Sequence, residues 1–321
     1  MQTLDRLRLD TDTMRNVVAW ERIPARPARY AAWPAGLDPR LAATQRRRGI
    51  ETLYTHQALA VEAALRGENV VVVTGTASGK TLAYNLPVLH ALLADDQARA
   101  LYLFPTKALA QDQANELGQF ITALSQAEGA PVPLAVRTYD GDTPQAQRSA
   151  IRKAGGVLIS NPDMLHTGIL PHHPRWADLF GNLKYVVLDE VHSYRGVFGS
   201  HMANVLRRLR RICAFYGSSP QFICTSATIA NPQELVEKLI EAPATLVPAA
   251  ADGAPRAEKF FLIYNPPITD PALGLRRSYL LEAQLLAGEF LADDVQTAVF
   301  ARTRNATEVL LMYVRDEARQ R

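Results

Sequence analysis

The residues from Thr74 to Thr81, TGTASGKT, have the types and spacing needed to hold a phosphate. A phosphate loop must aim several backbone N–H groups at one anion, which calls for small residues and glycine torsions. Thr76, Ala77, Ser78 and Gly79 supply such a backbone. Lys80 follows with the reach to touch the outer phosphates of a nucleoside triphosphate, and the Thr81 hydroxyl can ligate Mg²⁺. The strict pattern has glycine where this chain has Thr74, and here a glycine comes one step later, at Gly75. The competing reading is a plain strand-to-helix turn with an exposed lysine. The loop's place between an apolar run and a helical pattern favours the phosphate loop.

A second constellation lies in YVVLDEVH, Tyr185 to His192. Two acids at the end of an apolar strand are costly unless they face something charged. Asp189 is expected to hold Mg²⁺ opposite Thr81, and Glu190 to orient and deprotonate an attacking water. An acid pair on a solvated loop is the alternative, and the phosphate loop on an earlier strand weighs against it. Lys80, Asp189 and Glu190 form the expected catalytic set.

Regular elements must bring these two turns together. Apolar runs recur at 69–74, 100–104, 133–138, 156–160, 184–188 and 221–225. They are continuous rather than alternating, as strands covered on both faces are. Helical patterns lie between them. One places Met202, Val205, Leu206, Leu209, Ile212 and Cys213 on one face and Arg207, Arg208, Arg210 and Arg211 on the other. Strand–helix alternation predicts an α/β fold with a parallel sheet covered by helices, and ligands at the carboxyl ends of its strands.

The flanks are less regular. Residues 1–50 are rich in Pro, Arg and Ala, and the four prolines from Pro24 to Pro39 exclude a long helix there. They are expected to form an N-terminal extension, followed by an ATP-binding domain over 51–250. Small residues, Pro and Gly predict a linker over 251–258. Buried strands are expected at KFFLIY (259–264) and QTAVFA (296–301), with a helix between them and another at the C-terminal end. Residues 259–321 are too few for a whole domain.

With 321 residues the chain exceeds the usual size of one hydrophobic core. Its hydrophobic fraction of 48% and charged fraction of 21% are those of a globular protein. A net charge of +3 does not by itself argue for nucleic acid. Arg46, Arg47 and Arg48 read first as a solvated helix end. The two cysteines, Cys213 and Cys224, lack histidine partners at ligand spacing and are expected in the core. No apolar run suits a membrane span and the N-terminus is not a signal peptide, so a cytoplasmic protein with no membrane partner is expected.

The order GKT, DEVH and then TSAT at 225–228 resembles superfamily 2 helicases of the DEAD/DEAH type, over nearly the whole chain. The stretches DEVHSYRGVFGSH, TYDGDT and GIETLYTHQ resemble the YprA-like branch of DNA helicases, to which mitomycin repair factor A belongs. The resemblance implies a RecA-like ATP-binding domain and the start of a second one. It implies an ATP- and Mg²⁺-dependent motor on single-stranded or partly duplex DNA, in DNA repair. LYTHQ resembles the adenine-recognition segment, with Gln57 reading the base edge. FPTKALAQDQ at 104–113 resembles a strand-end motif gripping the nucleic-acid backbone through Thr106 and Lys107. TYDGDT and ISNPDML (159–165) resemble further backbone contacts, at Gly141, Asn161 and Asp163. Ser226 and Thr228 match the motif that couples ATP state to nucleic-acid grip, through His192. VFARTRNATE, 299–308, resembles the first motif of the second motor domain.

Such contacts go mostly to the backbone, so RNA remains an alternative partner. Branch members usually carry a cysteine-rich zinc-binding region, which this sequence lacks. The arginine finger of the superfamily belongs to a late motif beyond the last residue here, and Arg302 and Arg304 lie in an earlier motif. These residues are therefore expected to be the N-terminal part of a longer helicase, binding ATP and hydrolysing it poorly on their own. A transporter-type ATPase would show its own signature before the acidic strand, and none is found. A binding module without catalysis is disfavoured by the intact Lys80, Thr81, Asp189 and Glu190. Oligomeric state leaves no mark in the sequence.

Overall fold

The computed structural model describes residues 2–320. Met1 and Arg321, the outer ends of the expected extension and second domain, lie outside the described residues. The chain divides into two compact units. One is residues 27–256, and the other joins the residues up to Arg26 with those from Ala257 onward.

The larger unit is built on seven parallel strands: β1 (Val70–Val73), β2 (Arg99–Leu103), β3 (Val136–Thr138), β4 (Gly156–Ser160), β5 (Leu183–Leu188), β6 (Gln221–Ser226) and β7 (Thr245–Val247). Their order across the sheet is β7-β1-β6-β5-β2-β4-β3. The expected α/β parallel sheet is therefore present. Its continuous apolar runs have a direct cause: alternate residues enter two different cores. Val70, Val72, Tyr102 and Val187 pack into one, with helices α1 (Thr55–Leu65), α2 (Lys80–Ala94) and α3 (Lys107–Glu128). Val71, Val73, Leu103 and Val186 pack into the other, with α4 (Gly196–Phe215) and α5 (Pro232–Ile240). Cys213 and Cys224 are free thiols in that second core.

The unit boundaries differ from those expected. Within residues 1–50, those from Pro27 onward belong to the sheet unit, where Tyr30–Ala31 pairs with Leu53–Tyr54. The expected linker over 251–258 is largely fastened to the same unit. Thr55 Oγ1 donates to the Ala251 carbonyl at 2.6 Å, and the Gly253 N–H donates to His56 Nδ1 at 3.2 Å.

In the smaller unit, Val17–Ile23 pairs antiparallel with Lys259–Tyr264, a partnership across more than two hundred residues that local pattern does not reveal. A two-stranded ribbon has no sheet to cover both faces. Lys259–Tyr264 is accordingly half-buried, with Phe261 and Ile263 facing outward, rather than fully buried as expected. The expected strand at 296–301 does not form. It has no pairing partner there, and Phe300 is 95% exposed. Helices span Tyr279–Ala292 and Arg304–Gln320. Among the described residues, no helix is long and apolar enough to cross a membrane.

Candidate nucleotide site and nucleic-acid rim

The turns of interest all leave the carboxyl ends of the strands, and sheet order sorts them into two halves. The ends of β1, β6 and β5 are neighbours, as are those of β2, β4 and β3.

The first half carries the turn from Thr74 to Thr81 that the sequence suggests as a phosphate loop. Thr74 ends β1 fully buried, and its Oγ1 accepts a hydrogen bond at 2.7 Å from Ser78 Oγ, also buried. The departure from glycine at this position thus fastens the loop across its own base. Gly79 sits at φ +74°, a left-handed torsion, and a Cβ there would meet Gln57 Nε2 at 2.8 Å. Both requirements select glycine. Ala77 takes φ +55° as an ordinary residue, an uncommon backbone state that collects at functional sites.

Lys80 opens α2 and extends toward β5, where its Nζ lies 3.4 Å from Glu190 Oε1. Glu190 has φ +54°, so the second acid also occupies a strained turn. Its Oε2 lies 3.1 Å from His192 Nδ1. The same Nδ1 accepts from the Ala227 N–H at 3.1 Å. One nitrogen cannot accept from an amide and donate to a carboxylate at once. A neutral imidazole with a bare Nδ1 joins Ala227, and an Nδ1-protonated one joins Glu190.

Asp189 is buried, and two donors converge on its Oδ1: the Glu190 N–H at 2.9 Å and the Thr225 hydroxyl in a short contact. Burial raises its carboxyl above the ordinary carboxylate range. The Thr225 hydroxyl opposes that rise, the nearby Glu190 charge adds to it, and Lys80 and the Glu190 N–H oppose it. With both donors on Oδ1, Oδ2 is left for a cation. Among the described residues no group of three or more His, Cys, Asp or Glu could cage a metal. Mg²⁺ is normally held by one or two protein oxygens together with waters and substrate phosphates. A single buried carboxylate, with Thr81 half-buried at the start of α2, fits that manner of binding.

The expected coupling motif is rearranged. Contact with His192 comes from the Ala227 backbone and not from the side chains of Ser226 or Thr228. Ser226 Oγ instead donates to the Ala227 carbonyl at 2.7 Å, and Thr228 is exposed. The side chain of this motif that reaches the acids is Thr225, which the sequence reading passed over. The cause is register, which the folded sheet fixes: Leu188 of β5 faces Cys224 of β6, so Asp189 faces Thr225.

Gln57, expected to read the base edge, lies against the turn over 74–81. Its Oε1 accepts from the Tyr54 N–H and its Nε2 donates to the Gly79 carbonyl, both at 2.8 Å. The amide therefore ties the start of α1 to the phosphate loop, because at the third position of that helix it turns back on its own N-terminus. Beside it, Tyr54 stacks on Tyr30 with ring centroids 5.5 Å apart, and on His56 at 6.0 Å.

The second half gathers the expected backbone-gripping residues. Thr106 caps α3, its Oγ1 accepting from the Leu109 N–H at 3.3 Å. Asn161 caps the turn after β4, its Oδ1 accepting from the Met164 N–H at 2.8 Å. Gly141 and Asp163 are exposed. Lys107 pairs with Asp142 across the rim in a short contact, which raises the Lys107 pKa. Away from this rim, Arg46 and Arg48 lie over the rings of Trp33 and Phe120, at 5.9 and 5.5 Å.

The DEAD/DEAH box helicase family pattern matches residues 54–235. The chain is 52% identical over 315 residues to the ATP-dependent helicase YprA of Bacillus subtilis (strain 168), a match covering 98% of this chain and 41% of YprA. It is 38% identical over 297 residues to the ATP-dependent helicase HRQ1 of Saccharomyces cerevisiae (strain ATCC 204508 / S288c), covering 92% of this chain and 27% of HRQ1. Among solved structures, the DUF1998 helicase MrfA bound to DNA and AMPPNP is similar with a TM-score of 0.91 at 51% identity, covering 99% of this chain and 43% of that one. The chain spans less than half the length of each of these relatives. A match that takes in more than half of the chain, from the start of α1 through the Lys80 loop and the Asp189 turn, establishes that it belongs to the DEAD/DEAH box helicase family.

Proposed function

We propose that this chain is the ATP-binding motor portion of an ATP-dependent DNA helicase or translocase. The observation that carries the reading is the convergence of Lys80, Asp189, Glu190 and His192 at adjoining strand ends, with Lys80 and Glu190 3.4 Å apart. Backbone N–H groups of residues 76–79 would cradle the phosphates, with Lys80 on the outer ones. Mg²⁺, held by Thr81 and Asp189, would neutralise charge on the phosphates. A bound triphosphate draws Lys80 off Glu190. That frees the carboxylate to accept a proton from the attacking water. His192 stands between Glu190 and the Ala227 backbone, so the charge on Glu190 decides which partner it keeps. That choice would carry the state of the nucleotide into the end of β6.

Nucleic acid would lie along the other half of the rim, on Thr106, Lys107, Gly141, Asn161 and Asp163. These groups suit phosphate and sugar, so binding should tolerate sequence and weaken with salt. DNA is favoured as the partner because the MrfA structure similar to this chain holds DNA. The test is Mg²⁺-dependent ATP binding and turnover, with and without single-stranded DNA or RNA, beside Glu190→Gln and Lys80→Ala. Binding lost in Lys80→Ala, together with DNA-stimulated turnover lost in Glu190→Gln, is the expected result. A chain that binds no nucleotide, or whose turnover ignores both substitutions, refutes the reading.

A further inference from the structure

The segment after β7 returns to the phosphate loop. Asp252 is fully buried there, although nothing in its local sequence marks it as a site residue. Its Oδ2 accepts from Arg256 Nη2 at 2.8 Å and from the Gly75 N–H at 3.5 Å. Its Oδ1 accepts from the Ala254 N–H at 3.0 Å and lies 3.7 Å from His56 Nδ1. The Arg256 guanidinium lies against Gly75, so close that a Cβ on Gly75 would meet Nη2 at 2.8 Å. Arg256 remains 44% exposed and is the last residue of the sheet unit. The segment is held from behind as well, by Arg29 Nη2 donating to the Asp252 carbonyl at 3.0 Å.

Resting on the nucleotide-binding reading above, we propose that Asp252 and Arg256 are positioning residues of the nucleotide site. They act through Gly75 on the pose and charge of the phosphate loop. A buried carboxylate beside the entry of an anion-binding loop repels the ligand unless its charge is answered. Arg256 answers it. The guanidinium lies on the loop side of the carboxylate, and the pair holds Gly75 where the chain leaves β1. Arg256 thus has two effects that share a sign. It cancels the field of Asp252 at the phosphates and fixes Gly75, the residue by which the chain enters the cradle.

The test is equilibrium binding of a fluorescent ATP analogue with Mg²⁺ to the chain and its variants, with thermal melting as a check on folding. Arg256→Ala is expected to weaken binding by about tenfold or more, from the loss of the full cation nearest Gly75 and the loosened loop. Arg256→Lys, which keeps the charge, is expected within about threefold of the parent. Adding Asp252→Asn to Arg256→Ala is expected to restore most of the lost affinity, since the charge to be answered is gone. A merely structural contact would give no such rescue. Arg256→Ala that melts and binds like the parent, while Lys80→Ala fails to bind, overturns this proposal alone. So does a double variant no better than Arg256→Ala. A parent chain that binds no nucleotide overturns the functional reading and this proposal with it.

Discussion

The two halves of the strand-end rim are built differently. At the ends of β1, β5 and β6, Thr74, Ser78, Asp189, Thr225 and Ser226 are all buried, and hydrogen bonds fix Ser78 to Thr74 and Thr225 to Asp189. Ala77 and Glu190, two of the four described non-glycine residues with positive φ, also lie there, so backbone strain is concentrated in this half. At the ends of β2, β3 and β4, Lys107 and Asp142 are 57% and 76% exposed and pair directly at the solvent surface. The first half is made before its ligand arrives and has specific geometry to lose. The second is a screened, adjustable surface whose cation is already engaged. Under the proposed function, chemistry on a triphosphate would need the former, and grip on a nucleic-acid backbone without regard to sequence would need the latter.

Glu190→Gln should break the contrast most severely, lowering single-turnover hydrolysis by about 10²–10⁴-fold while nucleotide binding survives. Equal losses in binding and turnover would mean that Glu190 only shapes the pocket. Thr225→Val comes next. It keeps shape, removes one donor from Asp189, and should cost about 10–100-fold in turnover, as loss of a ligand's supporting partner does. The pH dependence sharpens this. The Asp189 carboxyl titrates above the ordinary range, so Mg²⁺-dependent nucleotide affinity should begin to fall at a higher pH than a usual aspartate would impose. Thr225→Val should move that acidic limb higher still, because the lost hydroxyl was lowering the pKa. The stability effect has the opposite sense. A raised folded-state pKa means that the native state takes up a proton, so this residue's contribution is fully present below the unfolded pKa and is lost as pH rises through the folded one.

The exposed half should respond modestly and in both directions. Lys107→Ala is expected to weaken binding to single-stranded DNA and to lower the slope of log affinity against log salt by about 1. Asp142→Ala should strengthen binding a few fold by releasing Lys107. If removing the acid weakens binding instead, the pair shapes the 140–143 turn and the contrast between halves is overstated. The smallest effect is expected at Tyr194, whose hydroxyl is buried without a hydrogen-bond partner among the described residues. Tyr194→Phe should leave stability unchanged or raise it by about 1 kcal/mol in a chemical melt, since an unsatisfied buried hydroxyl is removed.

Much of the first half was legible along the chain. Lys80 and Thr81, and Asp189 and Glu190, are each adjacent pairs at the end of a strand, and strand ends of a parallel sheet share one edge. The strands showed themselves because each is covered on both faces. Less legible was which side chain meets which. Ser226 and Thr228 were expected to be the coupling side chains, yet His192 is met by the Ala227 backbone, and Thr225 reaches Asp189 because pairing across β5 and β6 sets that neighbour. Gln57 was expected at the base edge; its hydrogen bonds with the Gly79 carbonyl and the Tyr54 N–H come from the fold and are not legible along the chain.

The chain by itself determined the small-residue turn into Lys80, the acid pair and the alternation of strand and helix, because each depends on residues within a few positions of one another. Only the tertiary structure decided the rest. Asp252 and Arg256 reach Gly75 across more than 170 residues. Val17–Ile23 pairs with Lys259–Tyr264, and the apolar run at 296–301 forms no strand. Periodicity reports which face of an element prefers to be dry. It does not report which distant segment will cover that face, since hydrophobic burial is non-directional and many partners satisfy it equally. Selecting one partner takes the hydrogen bonds, charges and close contacts that exist only once the chain has folded back on itself.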